Sequence, residues 1–309
     1  MRRFLPPTLV LVGAFLTALG LLSWLWIGPQ ARQAPIDQNS QTVSVGSGAY
    51  TDLGTQEVVE SLGIRSVIST VSDQGVYEGE DPLSDDIGVY DQTSGLFDTA
   101  REAPDGSPAS YPGFPVSISD DVRVAIDRVT ALPVECCNAD AVEGLTIKWP
   151  FDVQQEAYEL WDGTLGAAVT MSFVDVEEID GLEVYRFAGE VPATDVGPVT
   201  EDAEYPRVMY ETTKDYWVEP VTGRIINSEN SVHQWVVDEN GETLFDAADV
   251  QVALNEETLA DNVALGKDQT SQLGLLDLAS WLGPLLGIVL ILAGVLLAGA
   301  GRDEQEAVG

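Results

Sequence analysis

The chain has 309 residues, with 51 Asp plus Glu against 14 Lys plus Arg and a formal net charge of −37. Its three lysines leave no basic footprint for a nucleic-acid duplex, and so acidic a chain is repelled by an anionic membrane surface. Apolar residues make up 45% of it, which is no disordered composition, and roughly 250 residues between two apolar ends suffice for one large domain or two small ones.

The first apolar end opens with Met1-Arg2-Arg3, runs over residues 8–27 and closes on Trp24 and Trp26. Arginine before the run and tryptophan after it suit a helix that crosses from inside to outside. The same basic and apolar parts make a signal peptide, but Gly28-Pro29-Gln30-Ala31 offers a poor cleavage site. A retained helix within 1–29 is expected, with a cleaved leader as the alternative. Beyond it, Pro35-Ile36-Asp37-Gln38 reads as a connector. Val43 and Val45 then alternate with Ser44 and Gly46, and residues 58–71 continue the strand-like pattern.

Residues 73–121 are rich in Gly, Pro, Asp and Ser. Glu80-Asp81-Pro82, Pro104-Asp105-Gly106 and Tyr111-Pro112-Gly113-Phe114-Pro115 fall here, and the stretch predicts long loops. A period of two returns at Val122, Val124 and Ile126, with further strands expected over 145–151 and 167–174. Asp180-Gly181 predicts a tight hairpin. A second hairpin joins Tyr216-Trp217-Val218 to Arg224-Ile225-Ile226, and a third crosses Glu239-Asn240-Gly241. Repeated hairpins predict a large antiparallel sheet. The strands are short and acidic on either face, whereas a membrane barrel needs an outward apolar face over roughly 9–11 residues per strand. A soluble sheet packed on a core is therefore expected. From Asp246 onward, the spacing of Val250, Leu254, Leu259 and Leu265 predicts a helix-capable connector.

The last apolar run, residues 281–300, holds no charge and ends at Gly301-Arg302-Asp303. At about 1.5 Å per residue it is long enough to cross a bilayer core. Gly283 and Gly287, four apart, and Gly13 and Gly20 in the first run allow the two helices to pack closely. Arg2, Arg3 and Arg302 place both ends on the cytoplasmic side. The expected fold class is mainly β: a large antiparallel-sheet extracytoplasmic domain between N-terminal and C-terminal transmembrane helices. Its expected divisions are an N-terminal helix at 1–29, a β-rich domain at 30–248 and a helical connector at 249–280. A C-terminal helix at 281–301 and a cytoplasmic tail at 302–309 complete a two-pass plasma-membrane protein.

Chemistry is sparse. The only cysteines, Cys136 and Cys137, are adjacent. Three states stay open for them: a vicinal disulfide, two thiols, or a bond to another chain. His233, the single histidine, reads as an ordinary strand residue. No zinc spacing, calcium loop, nucleophile elbow or phosphate-binding loop is present. Carboxylate pairs such as Asp85-Asp86, Glu177-Glu178 and Glu256-Glu257 are what 51 acids supply by chance. Hence no catalytic, cofactor or metal site is expected, and no enzyme activity.

Several short stretches occur in a specific order: Ala34-Pro35-Ile36-Asp37-Gln38, Asp127-Arg128-Val129, Cys136-Cys137-Asn138 and Lys148-Trp149-Pro150-Phe151. Residues 181–187 and 216–223 follow, and the terminal apolar run closes the series. In these the chain resembles the actinobacterial PorA-type porin family over nearly its whole length. The resemblance implies a cell-envelope channel in bacteria with a mycolate-type outer layer, and it brings no catalytic residues. The two-helix layout fits a plasma-membrane protein better than an outer channel. The leading expectation is thus a membrane-anchored envelope protein that binds, transports or helps assemble envelope lipids or wall components. The alternative is a porin-like oligomeric channel. Expected partners are the lipid membrane and an envelope lipid or other envelope proteins.

Overall fold

The structure, a computed structural model, describes residues 5–52, 57–78, 82–102, 108–110, 121–198 and 207–306. Arg2, Arg3, Glu80-Asp81, the Pro104-Asp105-Gly106 turn and Tyr111 to Pro115 lie outside them. The chain forms two compact units, one of residues Ala34–Gly266 and one of Met1–Gln33 with Lys267–Gly309.

The larger unit is an antiparallel sheet. Among the described residues its strands are β1 (Asn39–Asp52), β2 (Glu57–Ser72), β3 (Ile87–Glu102), β4 (Pro108–Ser110), β5 (Val122–Asp127), β6 (Tyr158–Asp162), β7 (Ala167–Ile179), β8 (Leu182–Asp195), β9 (Arg207–Val218), β10 (Ile225–Val237) and β11 (Thr243–Leu254). Their order across the sheet is β4-β3-β2-β1-β11-β10-β9-β8-β7-β6, and β5 pairs with β3. The predicted hairpins form. Asp180 and Gly181 both take positive φ between Ile179 and Leu182, which face each other across the turn, as a two-residue primed turn requires.

The sheet curls. Tyr90 of β3 lies opposite Val124 of β5, yet Val124 and Ile126 share one buried cluster with Leu160 of β6, Val169 and Met171 of β7 and Phe187 of β8. The two ends of the strand order therefore face one core. The irregular segment between β5 and β6 fills it with Ala131, Leu145, Trp149 and Val153. This defines an inner face. The outer face of β8–β10 has its own cluster of Leu182, Val184, Trp217 and Ile226, covered by Leu259 and Val263. Those two belong to the start of α3 (Glu256–Glu306).

Strand β1 runs very close to β11, and its pairing with β2 is irregular between Gly46 and Gly48. A Cβ on Gly46 would lie 1.8 Å from the carbonyl oxygen of Gln251, and one on Gly48 would lie 2.2 Å from that of Asp249. Only glycine fits at so close an approach.

Three expectations are corrected. Residues 87–102 form a long strand inside the stretch expected to be loop. Its inner positions Gln92, Ser94 and Asp98 are polar, which hides the alternation. Residues 145–151 are irregular and contribute one bridge, Leu145 to Leu160; they fill the core as a strap, not as a strand. Residues 246–254 are strand, not helix, because Ala248, Val250 and Val252 alternate between β1 and β10.

The smaller unit is helical. It holds α1 (Leu5–Leu22), one π-helical turn (Ser23–Ile27), α2 (Gly28–Ala31) and the later part of α3. Among the described residues two helices are long and apolar enough to cross a membrane. Gly13 meets the carbonyl of Gly287, and Gly20 meets the ring of Pro284. Pro284 lies inside α3. The absent side chain of Gly20 makes room for its ring.

Candidate functional site

The inner face of the sheet combines aromatic packing with paired charges. Trp149 lies 5.7 Å from Phe187 and 5.3 Å from Tyr216, ring to ring, and Tyr158 meets Phe187 edge-on. At one margin of this core, Asp162 ends β6 almost fully buried. Its Oδ2 accepts from the Tyr210 hydroxyl at 2.8 Å and pairs with Lys214 Nζ at 3.0 Å, while Leu165 N donates to Oδ1 at 2.8 Å. Burial alone would raise the Asp162 carboxyl; the Lys214 charge and these donors together hold it below the usual carboxylate range. Burial would lower the Lys214 ammonium, but Asp162 holds it above its ordinary value. Both shifts describe one buried, mutually dependent ion pair. A second inner carboxylate, Asp98, accepts from Tyr50 at 2.7 Å and Ser61 at 2.6 Å.

The strap across the core is clamped to the β9–β10 turn. Trp149 N donates to Gly223 O and Val153 N to Pro220 O. A Cβ on Gly223 would lie 2.1 Å from Pro150 O, and φ is positive there. Buried Glu219 organises the turn, accepting from Val221 N, Thr222 N and Thr222 Oγ1. Lys148 Nζ is buried without a hydrogen-bond partner among the described residues and sits 3.7 Å over the Phe151 ring. Burial, with Arg224 nearby, pulls its ammonium down to about 7.

Cys136 and Cys137 lie in the turn after β5, with their sulfur atoms 2.30 Å apart. Arg123 ties this turn to the sheet. Its Nε donates to Cys137 O, its Nη1 to Asp91 and its Nη2 to Asp73, while its backbone N donates to Asp140. His233 lies far from this turn on the outer face of β10. Its Nδ1 is 3.0 Å from Glu211 and its Nε2 is 3.3 Å from Asp246. Burial would lower its pKa, but the two carboxylates raise it. Among the described residues no group of three or more His, Cys, Asp or Glu is disposed to hold a metal ion.

In the helical unit, Ser23 donates to Leu276 O and accepts from Ser280, and Arg32 forms a two-pronged pair with Asp277. Trp24, Trp26 and Trp281 are exposed. The sequence singles out the tryptophans and the glycines but not Asp162, Lys214 or Asp98. One signal was available for Lys214: it falls on the same alternation as Tyr210, Thr212 and Tyr216, the buried face of β9.

The curled antiparallel sheet and the two apolar helices define a mainly β protein with two candidate membrane spans among the described residues. The chain belongs to the Porin PorA family, whose profile matches residues 5–296. A Porin PorA of Corynebacterium amycolatum is 24% identical, with 62% of this chain and 58% of the relative covered. The chain thus matches less than two thirds of that relative's length. Against solved structures, an N-terminal dehydratase from the difficidin assembly line aligns with 81% of this chain and 88% of its own at 8% identity. The TM-score of 0.12 is too low to carry an argument.

The buried pair yields a prediction. Asp162→Asn strands the Lys214 charge and should cost about 3 kcal/mol or more, read by urea unfolding of the full chain. Adding Lys214→Met should recover much of that loss. Because the Asp162 pKa is depressed on folding, its contribution is complete above the ordinary carboxylate range and is lost as pH falls through the folded value. The Asn variant should lack that part of the acid sensitivity.

Proposed function

We propose that this protein is a porin-like component of a cell-envelope membrane, assembled from several chains. The observation that carries the reading is the whole-length match to the Porin PorA family. In this reading residues from about 30 to 275 lie outside the plasma membrane, with both termini in the cytoplasm, and the protein has no catalytic role. The two apolar helices support it. So does the arginine before the first run.

Physical chemistry restricts where a solute could pass. The outer face of the sheet exposes Thr170, Ser172, Glu190, Thr213, Glu229, Asp249 and Gln251, which hydrocarbon does not tolerate. The strands therefore do not face lipid. The helices offer little polar lining: Thr8 and Thr17 in α1, and no hydroxyl, amide or charge over residues 281–299 of α3. A path lined by these helices alone would dewet. Conduction thus needs polar groups from outside the spans.

A second reading, in which the sheet domain binds an envelope lipid or wall component, has one observation in its favour. Two apolar clusters of the inner face meet at Val232, which is only partly buried. Full-length protein in planar bilayers separates the readings. Stepwise conductance is the expected result. A silent bilayer, with an amphiphile recovered by solvent extraction of the same preparation, would overturn the channel and leave the binder.

The topology has its own test. Protease added to spheroplasts should digest the middle of the chain and spare tags at both ends. Protection of the middle would invert the arrangement, and an intact mass beginning near residue 35 would remove the first span. We also propose that Cys136 and Cys137 are oxidised to each other in the exported protein, supported by their adjacency, the absence of any other cysteine and an oxidising compartment. Alkylation of unreduced envelope material should leave both unlabelled; two labelled thiols would refute it.

A further inference from the structure

The pairing of β1 with β2 slips at one place. Gly46 lies opposite Ile64 and Gly48 opposite Ser61, so two residues of β2, Leu62 and Gly63, face the single Ser47 of β1. Such a bulge re-aims side chains. It is pinned from both sides: Gly63 N donates to Ser61 Oγ at 3.1 Å, and Thr99 Oγ1 of β3 donates to Gly63 O at 2.8 Å. Tyr50 and Ile64 belong to the core, so Val45, Ser47 and Arg65 stand on the outer face. Beside the bulge opens a cleft of about 510 Å³, lined by Val45 and Ser47 of β1, Leu62, Gly63 and Arg65 of β2 and Thr99 of β3.

The cleft holds one charge. Arg65, opposite Val45 in the ladder, is partly buried, and its Nε fully so. Among the described residues its guanidinium has no hydrogen-bond or ion-pair partner. In a chain of net charge −37 that sets it apart: Arg32, Arg123, Arg186 and Arg207 each hold a carboxylate. Glu60 and Asp249 stand on the same face, on either side of Ala49, yet neither forms an ion pair with Arg65. A cation drawn part-way out of water without a counter-charge attracts an anion more strongly than a fully hydrated one does. Beside it Leu62 is 92% exposed and Val45 45%. Two aliphatic side chains therefore face water next to a free guanidinium.

These groups define a ligand chemistry. A guanidinium only donates, and it suits the paired oxygens of an anion. Exposed aliphatic walls gain from being covered by hydrocarbon. A small inorganic anion would use Arg65 alone and meet the repulsion of the whole acidic surface. An anionic bilayer meets that repulsion at many headgroups, whereas a single amphiphile brings one charge and an apolar body to offset it. We propose that the bulge cleft binds a carboxylate-bearing amphiphile, with its carboxylate on Arg65 and its aliphatic part over Leu62 and Val45. This rests on the second reading, the sheet domain as a binder, and stands whether or not the spans conduct.

The test uses full-length protein in phosphatidylcholine nanodiscs, illuminated with a diazirine-bearing dodecanoate and digested for mass spectrometry. The adduct should fall within residues 45–47 or 62–65. The methyl ester of the probe lacks the charge and should label there less by about tenfold or more. Arg65→Gln should lower labelling by the acid to the same degree, and Arg65→Lys should keep part of it. Should Arg65→Gln fail to fold, Leu62→Glu decides: that side chain is exposed, so the fold tolerates the change, and the new charge should expel the carboxylate. Equal labelling by acid and ester, or by wild type and the folded variants, overturns the cleft. An adduct elsewhere on the sheet overturns it while leaving a binder with another site. Loss of the label when phosphatidylglycerol is added to the discs assigns the cleft to a bilayer phosphate and overturns the carboxylate. With no label at all the cleft falls, and the binder reading then stands only if solvent extraction of the protein recovers an amphiphile.

Discussion

Strand β1 pairs with β11, and the rest of the sheet unit depends on that seam. On one side of it lie β2 and β3, and on the other the run from β10 back to β6. Ser44 meets Leu254 and Tyr50 meets Ala248, so residues from opposite ends of the domain share one ladder. At the seam Gly46 and Gly48 let β1 approach the carbonyls of β11 more closely than any side chain allows. The seam joins the two runs of strands into one curled sheet, on whose inner face Asp162, Lys214 and Tyr210 meet.

How much of this is legible in sequence depends on whether the deciding chemistry is local. Asp180-Gly181 names its own turn, because positive φ at two successive positions is a property of those residues. The apolar helices are equally plain, and so are the glycines that let them touch. Strand β3 is not legible. Its inward residues Gln92, Ser94 and Asp98 are polar, and Asp98 is stabilised there by Tyr50 and Ser61 from other strands, which donate to it. Strand β11 misleads in the opposite way: Val250 and Leu254 stand at helical spacing, and only the partners on both sides decide for a strand. The Asp162–Lys214 pair joins residues of different hairpins, so no local pattern announces it. The ordered short stretches from Ala34 to Gly223, by contrast, carry the family directly.

The distribution of charge divides the molecule by role. The chain is very acidic, yet its few cations are placed with purpose: Arg123 holds the cysteine turn, Lys214 the inner carboxylate, Arg186 and Arg207 the outer strands. Acids such as Glu190, Glu229 and Asp249 face water and keep the outer surface hydrated. One chain thus combines strands with a polar outer face and two long apolar helices.

The same seam sets an order of events during folding. From β6 to β11 every pairing joins sequence neighbours, as do the pairings of β1, β2 and β3. Such hairpins form on a scale of about 1–10 μs. The β1–β11 ladder instead closes a loop that spans nearly the whole domain, and long-range pairing of this kind is slow. Until it closes, β1 and β11 each present an open edge, a ready template for pairing with another chain. The newly made protein is therefore most exposed to aggregation after its hairpins have formed and before its first and last strands meet.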